Sequence, residues 1–315
     1  MGLKMHVNFR KQTGVSLLIV FVVLIFGASS YLLLSFDLNK RELEKNQKTM
    51  QALNEAKLAI IGWSVKHKNP GTLPCPEDVT LVGTFNEGNS RSTCNEVNPI
   101  GRLPWKTLGI GDIRDGNGDK LWYAISSGFR SKPINLNTSA TLSVNSQASR
   151  VVAITFSAGS PLTSQKRINQ TDIAQYLDLS NVNGVPTFLM GKAKEDFNDR
   201  LLFVTKDDLF NAVSMRVLGD IRGTAGQGGL VDFYFKNGFY PYADSNGDGQ
   251  ADSMSLNGNP SYEGVVGRDL AFVSDIKMML KDNGWPVFIS YQMNSARNEV
   301  NLKLGNRSMK VVPTP

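Results

Sequence analysis

A chain of 315 residues with 41% hydrophobic and 20% charged side chains has room for one large or two modest domains, and is neither disordered nor collagen-like. Its net charge of +6 is unevenly spread: Lys4, Arg10 and Lys11 carry three of it within the first fourteen residues, leaving +3 on the rest. No concentrated basic footprint follows, so nucleic acid is not an expected partner. The only histidines, His6 and His67, nearly exclude His-based triads and His-rich metal sites.

Residues 15–36 carry no charge. At 1.5 Å per residue they would rise about 33 Å as a helix, enough for a hydrocarbon core of roughly 30 Å, so a transmembrane segment is expected there. The basic residues before it predict a cytoplasmic N-terminus and a periplasmic remainder, hence a single-pass inner-membrane protein. A cleaved secretory signal peptide is the other reading, but the apolar run is too long for one and passes directly into a polar helical pattern. Leu53, Ala56, Ile60 and Trp63 recur at 3-4-3 spacing, one face of a helix. One helix over residues 15–68 is predicted, ended by Asn69-Pro70-Gly71.

Beyond it, residues 121–126, 150–156 and 200–205 are apolar runs of strand length. Thr205-Lys206-Asp207-Asp208 has capping-box spacing, and Phe210, Val213, Val217 and Ile221 form a helical stripe. Residues 223–229 read as a glycine-rich connection, not a phosphate cradle, because no Lys-Ser/Thr follows. Residues 300–304 and 308–312 flank Gly305-Asn306 as a hairpin. A weak repeat of helix end, G-x-x-P, Trp-containing turn and aromatic strand links residues 71–126 to residues 238–291, which allows two tandem α+β units, 69–199 and 200–315.

Cys75 and Cys94 are the only cysteines, nineteen residues apart in a Gly-, Asn- and Ser-rich segment. In an oxidising periplasm the pair reads as a disulfide; a two-thiolate metal site, for which His67 alone does not complete the ligands, or two free thiols are the other readings. Residues 244–252 match D-x-N-x-D-G-x-x-D. There Asp244, Asn246, Asp248, the Gln250 carbonyl and Asp252 could surround a hard cation, with calcium the expected cofactor. Ser255 stands where an EF-hand has its bidentate Glu, and a solvated polar turn is the alternative. Asp115-Gly-Asn117-Gly-Asp119 repeats only the first three positions and reads as a plain turn. No nucleophile, base and orienter stand out, so no catalytic residue is assigned and an enzyme is not expected.

A basic leader ending in Lys11-Gln12-Thr13-Gly14, followed at once by an apolar helix, resembles a type IV prepilin or type II secretion pseudopilin. The blocks LPCPED at 73–78, GRLPWKTLG at 101–109, LWYAIS at 121–126 and NDRLLFVTKDDLFNAV at 198–213 resemble a recurrent pattern of bacterial prepilin-like proteins. The resemblance implies a leader of residues 1–14, removed after Gly14 by a prepilin peptidase. It implies Val15 as a methylated new N-terminus, and an α+β fold with a long N-terminal helix, transmembrane in its first half, packed on an antiparallel pilin-like sheet. The family usually has Phe where Val15 stands and Glu where Ile19 stands. A subunit without that acid resembles the large minor pseudopilin at a filament tip. The expected function is therefore a non-enzymatic minor pilin or pseudopilin, with other pilin or pseudopilin subunits and the inner membrane as partners, in a pseudopilus or an extracellular pilus. The alternative is a membrane-anchored periplasmic enzyme or sensor ectodomain that does not polymerise.

Overall fold

The computed structural model describes residues 13–145, 150–183 and 186–313, with the backbone alone for residues 13–16 and 30–38. In chain order the elements are α1 (Thr13–Lys66), β1 (Ile100–Arg102), β2 (Trp122–Ile125), β3 (Ser143–Val144), β4 (Val151–Ser157), β5 (Thr187–Phe188) and β6 (Arg200–Thr205). There follow α2 (Lys206–Arg222), α3 (Gly229–Asn237), β7 (Asn257–Gly258), α4 (Ser274–Asn283), β8 (Ile289–Met293), β9 (Val300–Leu304) and β10 (Arg307–Val311). The chain divides into two compact units, Met1–Lys48 and Thr49–Pro315.

In the first unit the described structure is the part of α1 up to Lys48. Here the expectation of a membrane-spanning first half is corrected: among the described residues no helix is long and apolar enough to cross a membrane. The single-pass inner-membrane placement that rested on that span is withdrawn with it.

The second unit is α+β, and its sheets are antiparallel except for the two-residue parallel pair β3–β5. The last turns of α1 bury Leu53, Ala56 and Ile60 completely, the 3-4 spacing that the sequence placed on one face. The helix stops where Pro70 lacks a donor and Gly71 takes φ +101°.

The first sheet has the order β1-β2-β4-β6. Strands β2 and β4 are buried at every position, so their apolar residues run continuously instead of alternating with polar ones. Their side chains still alternate between two cores: Tyr123 and Ile125 join one cluster, Trp122 and Ala124 the other. On β4 a register shift between Val151 and Ala153 sends both Val152 and Ala153 to the same side, the local effect of a bulge.

The second sheet, β10-β9-β8-β7, has one wet face, and β8 and β9 alternate buried and exposed residue by residue. Gly305, at φ +56°, makes the two-residue turn of the β9–β10 hairpin. Helix α2 opens on the capping box: the Thr205 hydroxyl accepts from Asp208 N–H and the Asp208 carboxylate accepts from Thr205 N–H. Its buried face, including Phe210, Val213, Val217 and Ile221, belongs to a cluster that also holds Leu53, Tyr123 and Leu302. One hydrophobic core therefore takes residues from both sides of position 199/200, and β6, which begins there, pairs with β4.

The weak repeat survives as a local device. Tyr123 donates its hydroxyl to the Pro74 carbonyl at 3.2 Å, and Tyr291 donates to the Pro241 carbonyl at 2.7 Å, both buried. Each proline follows a glycine of positive φ, Gly71 or Gly238, just past a helix end. Three residues beyond each proline a buried acid, Glu77 or Asp244, accepts from a glycine N–H in the next loop, Gly88 or Gly249.

Candidate functional site

The residue-level feature that most needs a function is the apolar run of α1. Ten consecutive large apolar side chains, Leu17 through Phe26, are exposed, from 41% at Val22 to 73% at Leu17. Successive helical residues point about 100° apart, so ten in a row present apolar surface on every side of the rod. Soluble monomers rarely leave a contiguous apolar patch of that extent uncovered. Ile19, where the resemblance would place a carboxylate, is one of the ten and is 56% exposed. Gly14 and Val15 lie in the first turn of α1, their side chains outside the described residues, as are residues 1–12 of the expected leader.

Cys75 and Cys94 are joined, with Cα atoms 5.8 Å apart. The bridge decides among the three readings of the pair and closes a loop laid against the first sheet. Glu77 N–H donates to the Arg102 carbonyl at 2.9 Å, and Arg91 N–H donates to the Pro76 carbonyl at 3.0 Å.

The loop at residues 244–252 curls as its alternating oxygens suggest, but it curls around its own backbone. Asp244 is buried and accepts from Gly247 N–H at 2.6 Å and Gly249 N–H at 2.8 Å. Asp248 accepts from Gln250 N–H, and Asp252 from the N–H and hydroxyl of Ser245. These bonds from Ser245, its hydroxyl first, hold the Asp252 carboxyl below the usual carboxylate range. Gly249 sits at φ +84°, and a Cβ there would lie 2.9 Å from the Tyr262 ring, so this turn needs glycine twice over.

As a cation site the loop fits in donor chemistry, since oxygens dominate. The Asn246 amide nitrogen donates toward Asp248 at 3.4 Å and Asp252 at 3.3 Å. The Gln250 side-chain oxygen accepts from Arg268. Among the described residues no group of three His, Cys, Asp or Glu side chains is disposed to hold a metal ion. The related turn at Asp115 is held the same way, its carboxylate accepting from Asn117 N–H and Asp119 N–H at 2.9 Å and from the Ser157 hydroxyl at 2.6 Å.

Two polar clusters escaped the sequence reading. In one, Arg102 is buried at the end of β1, within ion-pair range of Glu77 (3.9 Å) and Glu87 (3.7 Å), while Lys120 pairs with Glu87 and Arg167 with Asp119. Burial raises the Glu77 and Asp119 carboxyls above their ordinary values despite these cations.

In the other, Asp178 and Asp199 are both buried and lock the segment before β6. Asp199 accepts from Asp178 N–H at 2.8 Å and from the Asn181 amide at 2.9 Å, and Asp178 accepts from Asn198 N–H at 2.7 Å. Burial pushes Asp199 up to about 7, with the neighbouring Asp178 charge adding to the rise. The partners in these clusters lie up to 48 positions apart in the chain, and no spacing motif marks them. His67 stacks on Trp63 at 4.8 Å and engages the Asn69 backbone, which makes it part of the α1 terminus.

No protein-family model, curated protein or solved structure matches the chain.

Proposed function

We propose that the chain is a non-enzymatic structural subunit, a minor pilin or pseudopilin, cleaved after Gly14 by a prepilin peptidase and assembled with related subunits through the apolar part of α1. The observation that supports this reading is the ten-residue run of exposed apolar side chains from Leu17 to Phe26. Burying each against neighbouring helices is worth about 1.5–3 kcal/mol before the costs of association, so helix bundling is a strong drive for this segment. The resemblance of Lys11-Gln12-Thr13-Gly14 to a prepilin leader supplies the processing step.

Co-expression with a prepilin peptidase tests it. The expected result is a mass loss equal to residues 1–14, abolished by Gly14→Leu. The processed protein should then cross-link into assemblies, which Phe21→Lys reduces at least about tenfold by putting a charge into an apolar contact. Phe21 is 65% exposed, so the same change should leave the melting temperature unmoved. An unchanged mass beside the peptidase, or full assembly of Phe21→Lys, would defeat the proposal.

Calcium at residues 244–252 is its second part, supported by the oxygen donors of Asp244, Asn246, Asp248 and Asp252 and by the Gln250 carbonyl. Melting of the full chain at about millimolar calcium, the range of extracellular modules, reads it. A saturable rise in Tm that Asp248→Ala removes supports the ion. An unmoved Tm leaves the loop to its internal hydrogen bonds.

A further inference from the structure

Arg102 is the most conspicuous unspent donor group among the described residues. Its side chain is 4% exposed, yet only Nη2 has a hydrogen-bond partner, the Gln170 side-chain oxygen at 3.2 Å. Nε and Nη1 have none among the described residues. The nearby carboxylates balance its charge without meeting its geometry: Glu77 and Glu87 stand 3.9 and 3.7 Å from Nη1, beyond hydrogen-bond length. Glu87 is committed to Gly83 N–H and Lys120, and Glu77 accepts from Gly88 N–H through Oε1 while its Oε2, the oxygen facing Nη1, has no hydrogen-bond partner among the described residues either. Leaving guanidinium N–H groups buried and unmet costs far more than an average hydrogen bond gains.

Beside this guanidinium lies a cavity of about 70 Å³, lined by Arg102, Arg114, Lys120, Asp119, Gln170 and Tyr176 among others. That volume suits about two waters or one small oxyanion. The lining favours the anion. It carries three cations against one carboxylate, Asp119, which is taken by Arg167; Arg114 and Lys120 are paired with Asp112 and Glu87 outside the lining, which leaves Arg102 as the donor with free N–H groups. Burial also raises Tyr176 above the ordinary phenol range, so its hydroxyl stays a neutral donor beside the cavity.

We propose that this cavity is a binding site for one small oxyanion, of carboxylate or phosphate type, held by the Arg102 guanidinium in the field of Lys120 and Arg114. The site is independent of the assembly proposed above, since none of its residues belongs to α1.

Titration of the full chain with inorganic phosphate, acetate and chloride at fixed ionic strength tests it, read by Tm and by the Arg102 Nε–H resonance. The expected result is a saturable shift of both signals with phosphate or acetate and a much weaker one with chloride; whichever oxyanion saturates first names the source. Arg102→Lys, which keeps the charge and loses the fork, should weaken binding at least about tenfold. Should that variant fail to fold, the Nε–H signal of the wild type alone decides. A non-saturating Tm rise alike for all three salts, or a stationary Arg102 resonance, would show that the cavity holds water only and overturn the site.

Discussion

Asp199→Asn is expected to flatten the fall of stability with pH between about 4 and 7 and to stabilise the protein at pH 8. The carboxyl is 2% exposed, one of its oxygens has no partner among the described residues, and burial pushes it up to about 7. A folded value above the unfolded one, near 4, means that the native state holds the proton longer. Between those two pH values it binds more protons than the unfolded chain, so stability drops as pH rises. Each unit of displacement is worth about 1.4 kcal/mol, which makes the full loss across the window about 4 kcal/mol. The neutral amide can still accept from Asp178 N–H and Asn181, and it has no proton to give up. Denaturant unfolding of wild type and variant from pH 4 to pH 8 reads the difference directly. Parallel curves would show that Asp199 is ionised in the fold throughout.

Reduction of the Cys75–Cys94 bridge, or Cys75→Ser with Cys94→Ser, should cost about 3 kcal/mol, the chain-entropy value for a loop of this length. Cys94 is 4% exposed and sits in the main core cluster, so the two sulfurs also contribute packing that serine does not replace. The loss should appear as a lower denaturation midpoint with a slope that rises if it changes, because the unfolded chain without the bridge exposes more surface. The bonds from Glu77 to Arg102 and from Arg91 to Pro76 hold the loop when the bridge is gone, so the protein is expected to fold still.

What the sequence made legible was local. The 3-4 pattern of α1 from Leu53 to Ile60, the capping box of Thr205 and Asp208, the Gly305-Asn306 hairpin and three of the four strands of the first sheet all follow from short-range rules. Helices α3 and α4 went unseen. The first is so rich in aromatic residues, Phe233, Tyr234 and Phe235, that its stretch carries no clean helical period. The second is a ten-residue helix with only three buried positions.

The membrane span failed for a different reason. Counting uncharged residues from 15 to 36 scores the absence of charge alone, whereas among the described residues no helix is long and apolar enough to cross a membrane. At the candidate sites the division is the same. The Asp244 turn and its glycine could be read, whereas the direction of the Asn246 amide could not, because tertiary placement sets it. Arg102, Gln170, Asp178 and Asp199 meet only through folding, and residue types this common carry no mark of whom they will meet.

The borders of the second sheet have a bearing on how molecules can join. One margin is β7, only two residues long, and the other is β10, which carries Arg307 and Lys310 along a largely exposed strand. A brief margin and a charged one both discourage the ladder from growing into a neighbour's backbone. Strand-to-strand pairing of one molecule with another through this sheet is thereby disfavoured.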